Sequence, residues 1–429
     1  MRQPSSLRSL NFDSPAVVTM ALSILLTLAA IPTQAQTFKV IESFSGRNGA
    51  QPYAGLTPDG AGNFYGTTLA GGNMGCNSRL GCGTVFELSP TAGSWTFTKL
   101  YNFTGGTDGW YPNAPLVIGP DGALYGTTEY GGYASSKQGY GTVFKLAPPA
   151  ADCGISCPWT HTILYVFTDG SDGAYPGTGP LTFDSAGNIY GTTEGGGLDR
   201  AACYAVGKGG CGVAYKLAPS GGNWIETVVY SFTGGLDGYL PVGSVTFDKH
   251  GNILGTTSEG GTYLYGTVYL LTLSKTRWKE KTLHQFTGAT DGCFSVGGLV
   301  FDDSGNLWGT ASGSVLGGGA VFELTATSGE WEFAHWYLFP FPDDPSSSLT
   351  FSNGKLYGST PDGGIGWGTV FELIPGPGGL TVKTLYTFQG QNDGYSAWGG
   401  VSVDASGNVY GTTALGGPTY SGGVFEITP

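Results

Sequence analysis

Residues 181–193 read Leu-Thr-Phe-Asp-Ser-Ala-Gly-Asn-Ile-Tyr-Gly-Thr-Thr, and seven versions of this segment recur along the chain. That count constrains the fold more than any other feature, because a unit repeated at a fixed spacing folds as an array of like parts. Asp-Gly-Ala-Gly-Asn-Phe-Tyr-Gly-Thr-Thr begins at Asp59, and Asp-Gly-Ala-Leu-Tyr-Gly-Thr-Thr at Asp121. The other copies place Tyr190, Leu254, Trp308, Tyr357 and Tyr410 before Gly and then Thr or Ser. The Asp-x-x-Gly-Asn part is turn chemistry: Asp bonds backbone N–H groups just ahead of it, while Gly and Asn tolerate positive φ. Its flanks are β-branched and aromatic, which suits half-buried strands. Each copy is therefore two short strands joined by a tight turn.

A third strand follows each copy after a Gly-rich loop of variable length. It reads Gly-Thr-Val-Phe-Glu-Leu from Gly83 and Gly368, with variants from Gly141 and Gly266 and looser copies from Gly212, Gly319 and Gly423. A fourth strand opens at Trp95, Trp159, Trp224, Trp278 or Trp331 and ends in Tyr-x-Phe or a variant, as at Tyr101/Phe103 and Tyr165/Phe167. Four strands over roughly 50–65 residues is the size of a propeller blade. A solenoid is the rival, but it needs no special relation between the chain ends. Here residues 37–44 form a fourth strand with no blade before it, and residues 423–428 a third strand with none after it. Joined, they complete a seventh blade and remove the sheet edges. The sequence predicts an all-β, seven-bladed β-propeller over residues 36–429.

Glycine, at 77 residues, has no three-residue period and clusters at turns and strand starts, so it serves the fold rather than a collagen-like helix. Residues 1–35 lie outside the repeats. Arg2 and Arg8 precede an apolar run over residues 16–31, and Thr33-Gln34-Ala35 resembles a small-residue cleavage site. This reads as a secretory signal peptide, with an uncleaved anchor as the alternative. Removing it takes the formal charge from −13 to −14, since two Arg and one Asp leave. A net acidic chain argues against nucleic-acid or anionic-membrane partners, which need basic patches. We expect an exported monomer, periplasmic or extracellular, with a glycan or protein ligand.

Six of the seven cysteines form close pairs: Cys76/Cys82, Cys153/Cys157 and Cys203/Cys211. Local disulfides stapling the irregular insertions are the simplest reading in an exported chain. A zinc site lacks the second Cys or His pair it would need. Cys293 is left over.

The pattern Gly-x-x-Tyr-Gly-Thr-Thr-x-x-Gly-Gly followed by Gly-Thr-Val-Phe-Glu-Leu resembles the GloVer tandem repeats. Those repeats occur in exported bacterial proteins described as choice-of-anchor, because members end in different anchoring segments. The resemblance covers essentially everything after residue 35 and implies export. It brings no catalytic residue. No anchoring segment is recognisable after the last strand, so the expectation is release rather than attachment.

In an up-and-down blade, the connections after the second and the fourth strands share one face. The latter carries a recurrent Asp-Gly, at Asp108, Asp172, Asp237, Asp291 and Asp393, and the former carries Glu129, Glu194, Glu259 and Asp362. Two readings stand. The carboxylates form a rim for calcium, a hard cation that takes oxygen ligands, or each Asp caps its own turn. No other cofactor is implied.

Function should sit where blades differ. On the same face lie the loop aromatics Trp110, Tyr111, Tyr130, Tyr133, Trp367, Tyr395 and Trp398. Such rings beside Asp and Asn can stack on sugars, or they can pack between blades. Catalytic motifs are missing: the chain has no Gly-x-Ser-x-Gly, no His-Glu-x-x-His and no phosphate loop, and its four histidines are scattered. The leading expectation is a non-catalytic propeller that binds a carbohydrate or another polymer on this face. A polysaccharide-cleaving enzyme with an Asp/Glu pair at the channel mouth, and a structural envelope scaffold, are the alternatives.

Overall fold

A computed structural model of the chain describes residues 36–76, 80–133, 138–150, 157–198, 203, 209–314, 317–327, 330–376 and 379–429. The expected signal peptide lies outside the described residues. Seven antiparallel four-stranded sheets form a seven-bladed β-propeller. Blade one comprises Thr57–Pro58, Phe64–Thr68, Thr84–Thr91 and Ser94–Asn102, and blades two to six repeat that order. Blade three adds a fifth strand, Ala174–Pro176, because its second strand runs on to Gly195 and pairs Ala174 with Gly195. In blade seven, Val401–Val403, Val409–Thr413 and Gly423–Thr428 come from the end of the chain, and Thr37–Ser43 supplies the outer strand. The ring thus closes as the chain ends suggested.

Each repeated residue has a physical job. The second strand is buried at all five positions in blade one. Its Gly66 lies under the Phe86 ring of the third strand, where a Cβ would stand 2.4 Å from Phe86 Cζ. Gly358 under Phe371 and Gly411 under Phe425 repeat the contact at 2.5 Å, so only Gly fits. The two threonines after it do different things. The second bonds within its blade, as Thr68 Oγ1 to Thr84 Oγ1 at 2.8 Å. The first donates to a carbonyl of the next blade: Thr67 to Ala114, Thr192 to Gly243, Thr310 to Ser347 and Thr412 to Ala54, at 2.8–3.2 Å. The last of these bonds crosses the closure from blade seven to blade one.

The Asp-x-x-Gly-Asn-x-Tyr turn is a closed hydrogen-bond unit. Asp184 Oδ1 accepts from the N–H groups of Ala186 and Asn188, and its Oδ2 from the Asn188 amide and the Tyr190 hydroxyl, all at 2.7–3.2 Å. Asp404 makes the same four bonds with Ser406, Asn408 and Tyr410. Burial alone would raise the Asp184 carboxyl, but these donors hold it below its ordinary range.

Blades are joined at a left-handed residue that recurs around the ring. Gln51, Tyr111, Tyr175, Leu240, Phe294 and Ser396 all have φ between 54° and 60°. That conformation is disfavoured for side-chain-bearing residues and persists where the surroundings impose it. Here each N–H donates to the preceding blade, to the carbonyls of Ser421, Cys82, Tyr140, Cys211, Tyr265 and Trp367 respectively, at 2.8–3.2 Å.

Candidate functional site

The left-handed junctions aim the chain at the ring axis. Two residues beyond each one stand Tyr53, Asn113, Gly177, Val242, Val296 and Trp398, with Ser346 at the same place in blade six. All except Gly177 line a cavity of about 600 Å³, and in blade three Thr178 takes the place of Gly177. Every blade contributes to this wall, so the cavity lies on the axis. The backbone repeats around it while the side chains do not.

The wall has sides. Tyr53 and Trp398 stand together with ring centroids 6.4 Å apart. Tyr111 and Tyr130 also line the cavity, edge to face at 5.9 Å. Facing them are Val242, Val296, Pro180 and Ser346. Glu129 is the one carboxylate among the described lining residues, and none of these is Lys, Arg or His. Asn113 Nδ2 donates to Glu129 Oε2 at 3.2 Å. Asn113 Oδ1 and Ser346 Oγ are buried and have no hydrogen-bond partner among the described residues. Leaving such atoms unpaired costs about 1–3 kcal/mol each. Burial pushes the Tyr53 hydroxyl above its ordinary pKa, so it stays protonated and able to donate.

The structure divides the residues singled out in the sequence. Tyr111, Tyr130 and Trp398 reach the cavity. Trp110 does not: it is 6% exposed, stacks on Tyr130 at 4.7 Å and donates from Nε1 to the Gln138 carbonyl. Tyr133 donates its hydroxyl to the Phe167 carbonyl at 3.0 Å. Trp367 and Tyr395 pack on each other at 4.9 Å, away from the cavity lining, with Trp367 covering Gly390. Of the seven rings, Tyr111, Tyr130 and Trp398 line the cavity, and Trp110, Tyr133, Trp367 and Tyr395 are engaged in loop packing. The adjacency of the two connections does hold, since bridges join Trp110 to Tyr130, Tyr239 to Glu259 and Tyr395 to Leu415.

The Asp-Gly carboxylates are loop locks rather than an open rim. Asp108 Oδ2 accepts from the Tyr101 hydroxyl and the Thr104 N–H, and Oδ1 from the Thr104 hydroxyl, at 2.6–3.0 Å. Asp172 and Asp237 repeat this with Tyr165/Thr168 and Tyr230/Thr233. Asp393 takes Tyr386 and the N–H groups of Gln389 and Gln391. At Asp291, His284 replaces the Tyr and meets Oδ2 at 3.0 Å. Each of these carboxylates is already engaged by its own loop, which leaves little for calcium.

The cysteine reading is corrected in part. Cys203–Cys211 is a disulfide with Cα atoms 5.1 Å apart. Cys157 is disulfide-bonded, and its expected partner Cys153 lies outside the described residues. Cys76 and Cys82 are both thiols instead, with the Cys76 N–H donating to Cys82 Sγ at 3.0 Å. Burial, reinforced by its contact with Cys76, pushes the Cys82 thiol up to about 12. Cys293 is a buried thiol.

Tyr53, Asn113 and Ser346 escaped the sequence reading. Their signal was available: aligning the repeats at the Asp-Gly puts them in a column, two residues beyond the junction, in which nearly every blade differs.

A Bacteroides fragilis protein described as a candidate 6-phosphogluconolactonase is similar in structure, at 14% identity and a TM-score of 0.50, over 84% of this chain and 88% of that one. The β-propeller domain of the trilobed protease of Pyrococcus furiosus is 10% identical with a TM-score of 0.46, over 90% and 94% of the two chains. The phage phi92 endosialidase is 11% identical with a TM-score of 0.43, over 91% of this chain and 68% of that one. At these identities the likeness is one of fold alone. No curated protein matches the sequence. The Gloeobacter/Verrucomicrobia repeat matches residues 27–203, 197–340 and 310–429. With the repeat spanning nearly all of its length, the chain belongs to the Gloeobacter/Verrucomicrobia repeat family.

Proposed function

We propose that this protein is an exported, non-catalytic binding module that holds a saccharide in its axial cavity. The observation that carries the reading is the ring of unlike residues on a repeated backbone. A feature that differs among otherwise equal blades serves something other than folding. Its contents suit a sugar: Trp398, Tyr53, Tyr111 and Tyr130 offer flat apolar faces, and Asn113, Ser346 and Glu129 offer hydrogen-bonding groups. About 600 Å³ is the size of an ordinary small-ligand site. Export is supported by the Cys203–Cys211 disulfide, a bond at home in oxidising compartments.

The geometry gives the rival enzyme reading no help. Glycoside hydrolysis in its common form needs two carboxyl groups across the bond to be cut, and Glu129 stands alone among the described lining residues. A panel of poly- and oligosaccharides, scored for binding and for product release, tests the proposal. Binding without products is expected. Product release, or protein partners in place of any glycan, would overturn it.

A further inference from the structure

The loop between blades six and seven breaks a pattern that other blades keep, and the inference drawn from it rests on the saccharide reading above. Before their Asp-Gly, four loops read Thr-Gly-Gly-Thr, Thr-Asp-Gly-Ser, Thr-Gly-Gly-Leu and Thr-Gly-Ala-Thr, from Thr104, Thr168, Thr233 and Thr287. In each, the Thr hydroxyl donates to the Asp at 2.5–2.6 Å. The corresponding segment after Phe388 is Gln389-Gly390-Gln391-Asn392. Gln389 gives Asp393 its backbone N–H and no hydroxyl, and the side chains of Gln391 and Asn392 stand exposed. Amides in place of residues that lock the loop break a local folding rule, which is where working sites are expected.

Trp367 stands over this loop. It occupies the position whose carbonyl receives the N–H of the left-handed junction, a position that Cys82 and Cys211 fill in other blades while fully buried. Trp367 is instead 40% exposed. A Cβ on Gly390 would meet Cγ, Cδ2 and Cε2 of the indole at 2.3–2.7 Å, so the glycine lies flat beneath one face of the ring. Tyr395 supports the ring at 4.9 Å and 62°. Packing thus fixes the indole in place, and a ring fixed beforehand loses little freedom when a ligand stacks on it. Ser396 ties this ring to the cavity. Its N–H donates to the Trp367 carbonyl at 3.2 Å, and its carbonyl accepts from the Trp398 N–H at 3.1 Å. Trp398 lines the cavity and Trp367 does not, so a ligand that meets both rings runs out of the cavity.

We infer that Trp367, Gln391 and Asn392 form an outer sugar subsite, and that the ligand is a linear oligosaccharide with its end against Trp398 and its body across Trp367. The indole takes the flat C–H face of one sugar residue, and the two amides bond its hydroxyls. A monosaccharide fills the cavity alone.

The test is a length series on the full chain, with cello-, chito- and malto-oligosaccharides of one to six residues. In each series that binds, affinity should rise about tenfold from the shortest to the longest oligomers, the share of one stacking ring. Trp367→Ala should remove that rise and leave the shortest oligomers unchanged. Gln391→Ala combined with Asn392→Ala, which removes exposed side chains and no packing, should reduce it. Trp398→Ala should weaken every length alike. Affinity that does not grow with length, or the same growth in Trp367→Ala, overturns the outer subsite and leaves the saccharide reading standing. So does a loss at every length in Trp367→Ala with the amide variant unaltered, which would mark a packing role only. Binding in none of the three series overturns both.

Discussion

Trp398 and Tyr53 stand with ring centroids 6.4 Å apart, although the chain traverses the whole ring between them. The seam that brings them together is also the seam where the chain ends meet, with Ser402 Oγ donating to the Leu56 carbonyl and Thr412 to Ala54. Ring closure and the aromatic side of the cavity are therefore one construction.

Trp398→Ala should weaken saccharide binding about tenfold, the share expected of one stacking ring at about 1.4 kcal/mol. Trp398 is 40% exposed, so the melting temperature should hardly move. Titration calorimetry beside a thermal melt separates the two effects. Trp110→Ala should do the reverse, because that ring is buried against Tyr130. A loss of about 3 kcal/mol of stability is expected there.

His161 and Glu226 occupy one structural position in successive blades, each opposite the Leu of the third strand, as Phe97 and Phe333 do elsewhere. His161 stacks on Tyr101 at 4.4 Å with Nε2 buried and unpaired among the described residues. Burial, outweighing the nearby Asp108, pushes its pKa down to about 4. The folded state prefers neutral His161, so stability is present above the ordinary 6.5 and is lost as pH falls from there toward 4. His161→Phe should stabilise by about 1–3 kcal/mol, most at low pH. Chemical denaturation at pH 5 and pH 8 checks this.

Glu226 has the opposite slope. Burial, helped by the Asp172 charge, pushes its carboxyl up to about 7. The folded state prefers the protonated acid, so stability is present below 4.5 and is lost as pH rises through about 7. Glu226→Gln should gain on the order of 1 kcal/mol at pH 8, after allowance for solvent screening, and almost nothing near pH 4.5. The same pair of denaturation curves should show the two variants crossing.

Cys203→Ser should cost about 2–3 kcal/mol, the loss expected on opening a short disulfide loop. Cys82→Ala should cost about 1 kcal/mol, since only packing is removed there. Alkylation of the unfolded, unreduced chain followed by mass spectrometry should find Cys76, Cys82 and Cys293 labelled and Cys203 and Cys211 protected.

Much of this was legible in the sequence because the repeats share local physics. Gly before Thr-Thr marks where a third-strand ring crosses, and Asp followed four residues on by Asn marks a turn that bonds to itself. Closure was legible because residues 37–44 read as a fourth strand and residues 423–428 as a third strand of one incomplete blade. What stayed hidden depends on direction and burial. Trp110 and Tyr111 are neighbours, yet one is swallowed by the loop while the other reaches the cavity. The left-handed turn at Tyr111 decides which, and no composition or spacing announces φ at a Tyr. Asp108 looked available for a cation because its partners, Tyr101 and Thr104, belong to a strand end that is recognised only once folded. Cys76/Cys82 and Cys203/Cys211 look alike in sequence, and the structure alone separates thiols from disulfide.

A crystal structure of the chain with a bound oligosaccharide tests the central claim most directly. The account predicts sugar density on the ring axis, with one residue stacked on Trp398 or Tyr53 and a hydroxyl beside Asn113. Sugar held on the outer strands or on the opposite face, with the axial cavity empty, would contradict it.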